Sequence, residues 1–83
     1  MRYSPGDLHR MIASSSTDLE LGSIYVHAKG ERYMLISVAL READLEPLAI
    51  YAPLQPEALG FSISFARPVS EFRDRFSLDH GHE

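Results

Sequence analysis

The sequence predicts a mostly β protein: a small bent antiparallel sheet that closes into an SH3-like barrel, with short helical segments at the termini. Short runs of strand-forming residues recur between residues 22 and 72, and mainly short loops join them. The chain has 83 residues, which is enough for one domain. Closure would shield the edges that a flat small sheet exposes, and a helix-covered open sheet is the competing architecture.

The chain divides into three zones. Residues 1–21 form an N-terminal extension in which one short helix is expected, because Leu8, Met11 and Ile12 lie on one helical face. Residues 22–76 form a single small β domain. Residues 77–83 form a flexible tail.

The β domain begins with a predicted hairpin. Apolar residues alternate along residues 24–28, which is the pattern of a half-buried strand. A tight Lys-Gly-Glu turn follows at residues 29–31, with glycine available for a positive φ, and residues 33–40 form the second strand. Residues 34–40 are almost wholly apolar, which predicts a central strand covered on both faces.

A charged turn leads to the next strand, at residues 48–51. Pro47 and Pro53 bound this strand and are tolerated because they fall at its ends. Residues 55–60 form a loop, after which Phe61, Ile63 and Phe65 alternate with small polar residues. These three side chains are expected to face the interior.

A short helix or turn is expected after Pro68. Val69, Phe72 and Phe76 recur there at helical spacing, so their side chains lie on one face. We expect this face to pack on the sheet, with Phe72 in the interior beside Phe65.

The ordered motifs of residues 22–72 resemble one known family. Residues 25–30 match an opening of the form Y-x-H-x-K-G, Ile50-Tyr51 stands where the family has V-Y, and residues 65–68 resemble W-V-R-P. The chain is therefore similar to the family catalogued as domain of unknown function 1653, small bacterial and phage proteins. The resemblance implies no assigned activity. Residues 41–44 depart from the family's H-S-E-T turn, and Phe65 replaces its tryptophan.

Composition narrows the classes of function. A formal net charge of −4 argues against a general nucleic-acid binder, which needs a basic face. The absence of cysteine removes both a disulfide framework and a thiolate nucleophile. No apolar run approaches the length of an export signal or a membrane span, so a cytoplasmic location without membrane contact is expected. A thin core makes a homodimer an expected assembly, through an apolar strip at Phe61–Phe65 or at Phe72 and Phe76.

Aromatic and cationic side chains coincide with the motifs and form the candidate ligand-binding set: Tyr25, His27, Lys29, Tyr33 and Arg67. The proline after Arg67 holds that residue extended, so its guanidinium is aimed to grip a phosphate or carboxylate. The tyrosines, together with Tyr51, offer a platform for stacking.

Each candidate also has a structural alternative. His27 can instead bond a neighbouring carbonyl, and Arg67 can instead pair with Glu71, Glu46 or Asp44. The tyrosines can equally fill the rim of the core with their hydroxyls in water.

The sequence predicts no catalytic residues, cofactor or metal. Ser62 and Ser64 lack the context of a nucleophile, and the His80-x-His82 tail lacks partners that would orient metal ligands. We therefore expect a non-catalytic binding module for a small anionic or nucleotide-like ligand. A protein–protein interaction module or homodimeric adaptor that uses the aromatic surface is the alternative.

Overall fold

The computed structural model describes residues 3–54 and 63–79 of the chain. In these residues two helices and five strands follow one another in the order α1 (Pro5–Ser15), β1 (Ile24–His27), β2 (Arg32–Leu40), β3 (Pro47–Pro53), β4 (Phe65–Pro68), α2 (Val69–Arg75) and β5 (Phe76–Leu78).

Helix α1 begins where its sequence provides a cap. The Ser4 side chain accepts a hydrogen bond from the Asp7 backbone N–H, and the Asp7 carboxylate accepts one from the Ser4 backbone N–H. Pro5 occupies the first turn, where its missing N–H costs no helical bond. Ile12 packs against the core, so α1 is attached to the sheet through its apolar side.

Strands β1 and β2 form the predicted hairpin. Tyr25 pairs with Tyr33, and the His27 N–H donates to the Glu31 carbonyl at 2.8 Å. Gly30 has a φ of 103°, a left-handed conformation that glycine adopts without the strain of a side chain. Gly30 therefore suits the tight turn that joins the two paired strands.

Strand β2 is central, as its apolar sequence predicts. Its long pairing with β3 is interrupted by a bulge at Ile36, between the pairs Leu35–Tyr51 and Ser37–Ile50. Pro47 and Pro53 are the first and last residues of β3, in agreement with the positions that proline tolerates.

The five strands form one antiparallel sheet in the order β4-β3-β2-β1-β5. Strands β4 and β5 are its two edges and do not pair with each other, so the expected closure into a barrel is wrong for the described residues. The mostly β class and the terminal helices are confirmed. Helix α2 runs directly from one edge strand to the other and covers the sheet, which protects its apolar side without closure.

The sheet is nevertheless bent. Arg67 on β4 and Phe76 on β5 belong to opposite edges, yet the Arg67 Cζ lies 5.9 Å from the centre of the Phe76 ring. Four inter-strand spacings of a flat sheet would separate these edges by roughly 19 Å. The sheet therefore curves around the side chains that lie between its edges.

We call the covered side the first face. Its core consists of eight buried residues from the sheet and α2: Tyr25, Leu35, Val38, Ala49, Tyr51, Val69, Phe72 and Phe76. The Phe72 and Phe76 rings stack at 4.3 Å between centroids, and Phe72 also contacts the rings of Tyr25 and Tyr51. Both helices lie on this side, since the α2 residue Arg73 donates to the Ser15 carbonyl at the end of α1.

The end of the β domain differs from the sequence-based boundary. Ser77 and Leu78 belong to β5, which pairs with β1 through Val26–Ser77 and Tyr25–Leu78. The tail predicted from residue 77 therefore begins with a strand residue. Residues 80–83 lie outside the described part of the chain, as do the predicted loop at 55–60 and Phe61.

Candidate functional site

Tyr25 belongs to the core, which corrects its assignment to a ligand site. Its ring is 5% exposed and packs edge-on against Phe72 at 5.1 Å. The hydroxyl accepts a hydrogen bond from the Glu20 backbone N–H at 2.9 Å, which satisfies the polar atom as the ring is buried. Tyr51 is equally buried, so two of the three tyrosines serve the core.

Phe65 faces the side of the sheet that the alternation predicted, the side of the core residue Tyr51, but it is not buried there. Phe65 is 46% exposed, although alternation along its strand suggested an interior position. Strand β4 is an edge, and Phe65 pairs there with Tyr51 at the end of the strand away from α2. The helix that buries Phe72 begins only at Val69 and leaves Phe65 open.

His27 is half-buried at the end of β1. Its Nδ1 accepts a hydrogen bond from the Lys29 backbone N–H at 3.0 Å, and its ring meets Phe76 edge-on at 4.9 Å. This is the structural alternative for His27, with a backbone N–H in place of a carbonyl. Because Nδ1 is an acceptor in this arrangement, the neutral ring carries its proton on Nε2.

Lys29 lies in the exposed turn between β1 and β2. Its backbone supports His27, whereas its side chain forms no ion pair within the described residues.

Tyr33 is half-buried, and its ring contacts three other aromatic rings. Its ring lies edge-on to those of Tyr51, Phe76 and Phe65, at 5.3, 5.5 and 6.4 Å respectively. Burial raises the pKa of the Tyr33 hydroxyl, and the nearby Glu31 carboxylate adds to that effect. The hydroxyl is thus a neutral hydrogen-bonding group at physiological pH.

Arg67 is held among aromatic rings. Its Nε donates to the Tyr51 hydroxyl at 3.2 Å, and its guanidinium lies over the Phe76 ring. Its Nη1 is 3.9 Å from the Glu71 carboxylate, one helical turn away, whereas Asp44 pairs with Arg41 instead. The Tyr51 hydrogen bond is the main cause that raises the pKa of Arg67, so the guanidinium stays charged.

These contacts assemble what we call the aromatic–arginine cluster. Its accessible members are His27, Tyr33, Phe65 and Arg67, and its floor is formed by Tyr51 and Phe76. The sequence found three of the four accessible members. Phe65 was missed because only its place at an uncovered edge, which the sequence does not reveal, makes it accessible.

A shallow cleft adjoins the cluster at Tyr33. It has a volume of about 420 Å³ and lies between the β1–β2 turn and the end of β3, lined by Gly30, Glu31, Arg32, Tyr33, Pro53 and Leu54. Its cation, Arg32, forms an ion pair with Asp79 at 2.8 Å. Tyr33 therefore presents one side to Arg67 and Phe65 and borders an open volume on another.

The described residues do not form a metal site. Residues 3–54 and 63–79 contain no group of three or more histidine, cysteine or acidic side chains placed to hold an ion. His80 and His82 lie outside these ranges. In the part of the chain that the structure describes, no helix combines the length and apolarity needed to cross a bilayer.

The fold and the cluster together define a small helix-covered antiparallel sheet with an arginine set among aromatic rings. No protein-family model, curated protein or solved structure matches the chain. The resemblance of residues 22–72 to the family of domain of unknown function 1653 therefore stays a prediction.

Proposed function

We propose that this protein is a non-catalytic binding module for a small anionic ligand that carries a planar ring, as a nucleotide does. The observation that carries the proposal is the position of Arg67. Tyr51 and Phe76 fix its guanidinium from below, and its side chain remains 29% exposed. A guanidinium held in this way loses little further conformational freedom when it binds a phosphate or carboxylate.

The neighbouring rings supply the second half of the proposed recognition. Phe65 and Tyr33 are both accessible and stand edge-on to each other beside Arg67. A planar ring bound against either side chain gains stacking energy, typically about 1–3 kcal/mol per base. The cleft beside Tyr33 offers space for such a ring.

Glu71 acts as an internal competitor in this proposal. Its carboxylate approaches Arg67 at 3.9 Å and is 61% exposed, so the pair is loose and accessible to solvent. An anionic ligand displaces Glu71 at little cost, because exposed ion pairs contribute only about 0–1 kcal/mol.

His27 has a structural role in this proposal. Its Nδ1 is engaged by a backbone N–H, and the described residues place no serine in hydrogen-bond contact with its ring. A nucleophile needs a base within reach and a group that orients the base.

Ligand binding is tested with inorganic phosphate and a panel of mononucleotides and cyclic nucleotides. Thermal melting and NMR titration of the full chain should show a saturable stabilisation, with shifts at Tyr33 and Phe65. Arg67→Lys should weaken binding about tenfold, since it keeps the charge and loses the fork of donors. Glu71→Gln should tighten binding roughly two- to fivefold.

Arg10→Lys is the matched control, because Arg10 also pairs with an acid one turn away, on α1. It should leave affinity unchanged. If no phosphate-bearing compound shifts the melting temperature at millimolar concentration, or if Arg67→Lys and Arg10→Lys bind alike, the proposal is wrong.

A peptide is the second candidate ligand, and the exposure of Phe65 on edge strand β4 favours it. An edge strand offers unpaired backbone groups to an added strand, and an exposed aromatic offers a side-chain contact. A peptide that binds here should shift the β4 amides in NMR spectra. A nucleotide, in contrast, should act mainly on Arg67 and the rings.

A further inference from the structure

The cleft beside Tyr33 has an acidic edge. Glu31 lines the cleft and is exposed, and its carboxylate forms no ion pair with any residue in the described ranges 3–54 and 63–79. The other charged residue of the lining, Arg32, is paired with Asp79 at 2.8 Å. The charge that a ligand meets in the cleft is therefore mainly negative.

Tyr33 connects this acidic edge with Arg67. The Phe76 ring lies 5.5 Å from the Tyr33 ring and 5.9 Å from the Arg67 Cζ, so one aromatic side chain bridges the two residues. Burial raises the pKa of the Tyr33 hydroxyl, Glu31 raises it further and Arg67 acts in the opposite direction, so both charges lie near the same hydroxyl. A ligand as long as a mononucleotide can therefore contact Arg67 and the cleft at the same time.

The walls of the cleft suit the faces of a planar ring. Tyr33 and Pro53 are paired across β2 and β3, and both line the cleft together with Leu54, which is 37% exposed. The volume of about 420 Å³ falls within the range of about 300–1,000 Å³ that is typical of small-molecule sites. A base that packs its faces against these side chains leaves its polar edge for Glu31.

The chemistry of a carboxylate restricts which base edge it binds. An ionised carboxylate only accepts hydrogen bonds, and its two oxygens accept best from two parallel N–H groups. Guanine presents such a pair side by side, N1–H and the 2-amino group. Hypoxanthine has N1–H alone, and adenine, cytosine and uracil each place an acceptor beside the donor. Guanine is therefore the base whose edge complements Glu31.

We propose that the cleft selects guanine nucleotides, with Glu31 accepting hydrogen bonds from N1–H and the 2-amino group of the base while Arg67 binds the phosphate. This inference rests on the proposed function and narrows its ligand to one base. Glu31 is then a specificity-determining residue, whereas Arg67 binds the phosphate of any nucleotide. The opposite charges of the two residues also fix the direction in which the ligand lies.

A comparison of GMP with IMP, which lacks only the 2-amino group, is the first test. Isothermal titration calorimetry of the full chain should give a dissociation constant about tenfold lower for GMP, because IMP loses one hydrogen bond to a charged acceptor. AMP should bind no more tightly than IMP. Inorganic phosphate measures the affinity that Arg67 supplies without a base.

Glu31→Gln separates the carboxylate from other causes of a preference for GMP. The variant should reduce the ratio of the IMP and GMP dissociation constants to about two or less, since the amide has one acceptor oxygen and its NH₂ group faces a donor. It should bind xanthosine monophosphate about tenfold more tightly than the wild-type protein does, because the amide nitrogen donates to the oxygen that replaces the 2-amino group. Affinity for inorganic phosphate should change by less than about twofold.

Glu42→Gln is the matched control. Glu42 is also exposed, but it lies in the turn after β2, at the end of that strand away from Tyr33. This variant should keep the wild-type preference for GMP over IMP.

This inference and the proposed function fail in different ways. If GMP and IMP bind the wild-type protein equally, or if Glu31→Gln prefers GMP as strongly as Glu42→Gln does, selection of guanine by Glu31 is wrong and anion binding at Arg67 stands. If neither inorganic phosphate nor any of these nucleotides binds, both proposals are overturned.

Discussion

Phe72 and Phe65 have the same side chain and very different surroundings. Phe72 is 1% exposed and touches three aromatic rings, whereas Phe65 is 46% exposed on an edge strand. The sequence pattern alone assigns both to the interior. Replacing each phenylalanine with alanine therefore tests whether the two side chains differ in burial as the structure shows.

Phe72→Ala should lower the free energy of unfolding by about 3–5 kcal/mol, the usual cost of removing a buried phenylalanine. Phe65→Ala should lower it by no more than about 1 kcal/mol, because much of that ring stays in water when the protein folds. Urea denaturation of both variants measures the difference. Equal losses would show that the Phe65 ring is buried as deeply as that of Phe72.

Tyr25 shows why burial at single positions was misjudged. Alternation along β1 identified two sides of the strand but not which side α2 covers. The polar hydroxyl suggested a solvent-facing residue, yet one backbone N–H from Glu20 is enough to satisfy it in the interior. Glu20 lies in the segment before β1, and the sequence pattern does not show that its N–H reaches the Tyr25 hydroxyl.

At the scale of elements, replacing Gly30 or Gly6 with alanine should change the stability of the protein in opposite directions. Gly30→Ala should destabilise the protein by about 1 kcal/mol or more, because a φ of 103° strains any residue with a Cβ atom. Gly6→Ala should stabilise it by about 0.4–1 kcal/mol, since Gly6 lies in α1 and an added Cβ meets atoms no closer than 3.8 Å.

Thermal denaturation of the two alanine variants checks this pair. Both lose the same backbone freedom in the unfolded chain, so their difference isolates the conformational strain in the turn. A Gly30→Ala variant as stable as Gly6→Ala would mean that the β1–β2 turn adopts another conformation in solution.

Local signals predicted most of the elements. A glycine turn, prolines at strand ends and period-2 alternation lead directly to β1, β2 and β3. Strand β5 was missed because Phe76 continues the helical spacing of Val69 and Phe72, and only pairing with β1 reveals that the chain has become extended. The cluster was predicted in part, since Arg67, Tyr33 and His27 meet around Phe76 only when both sheet edges curve together.

At the scale of the whole molecule, the two sides of the sheet differ in how far they are buried. Helix α2 and the end of α1 cover one side, where a small core of aromatic rings supports Arg67. On the other side, Met34 and Ile36 remain 39% and 45% exposed. A chain of 83 residues buries a limited fraction of its surface, which is consistent with the apolar side chains that stay accessible on that side.

The pairing of β5 with β1 also predicts an order in which the chain folds. Strands β1, β2 and β3 are consecutive neighbours and form from short loops, whereas β5 meets β1 only after most of the domain has been traversed. Because closing a long loop costs more conformational entropy, we expect the transition state to contain β1–β3 and to lack β5.

Leu78→Ala in β5 should therefore accelerate unfolding and leave the folding rate nearly unchanged, while Leu35→Ala in β2 should slow folding. Stopped-flow measurements across a denaturant series distinguish these effects, and comparable slowing of folding by both variants would contradict the order. If β5 joins last, it should also separate first, and we expect the domain to begin unfolding at this C-terminal edge.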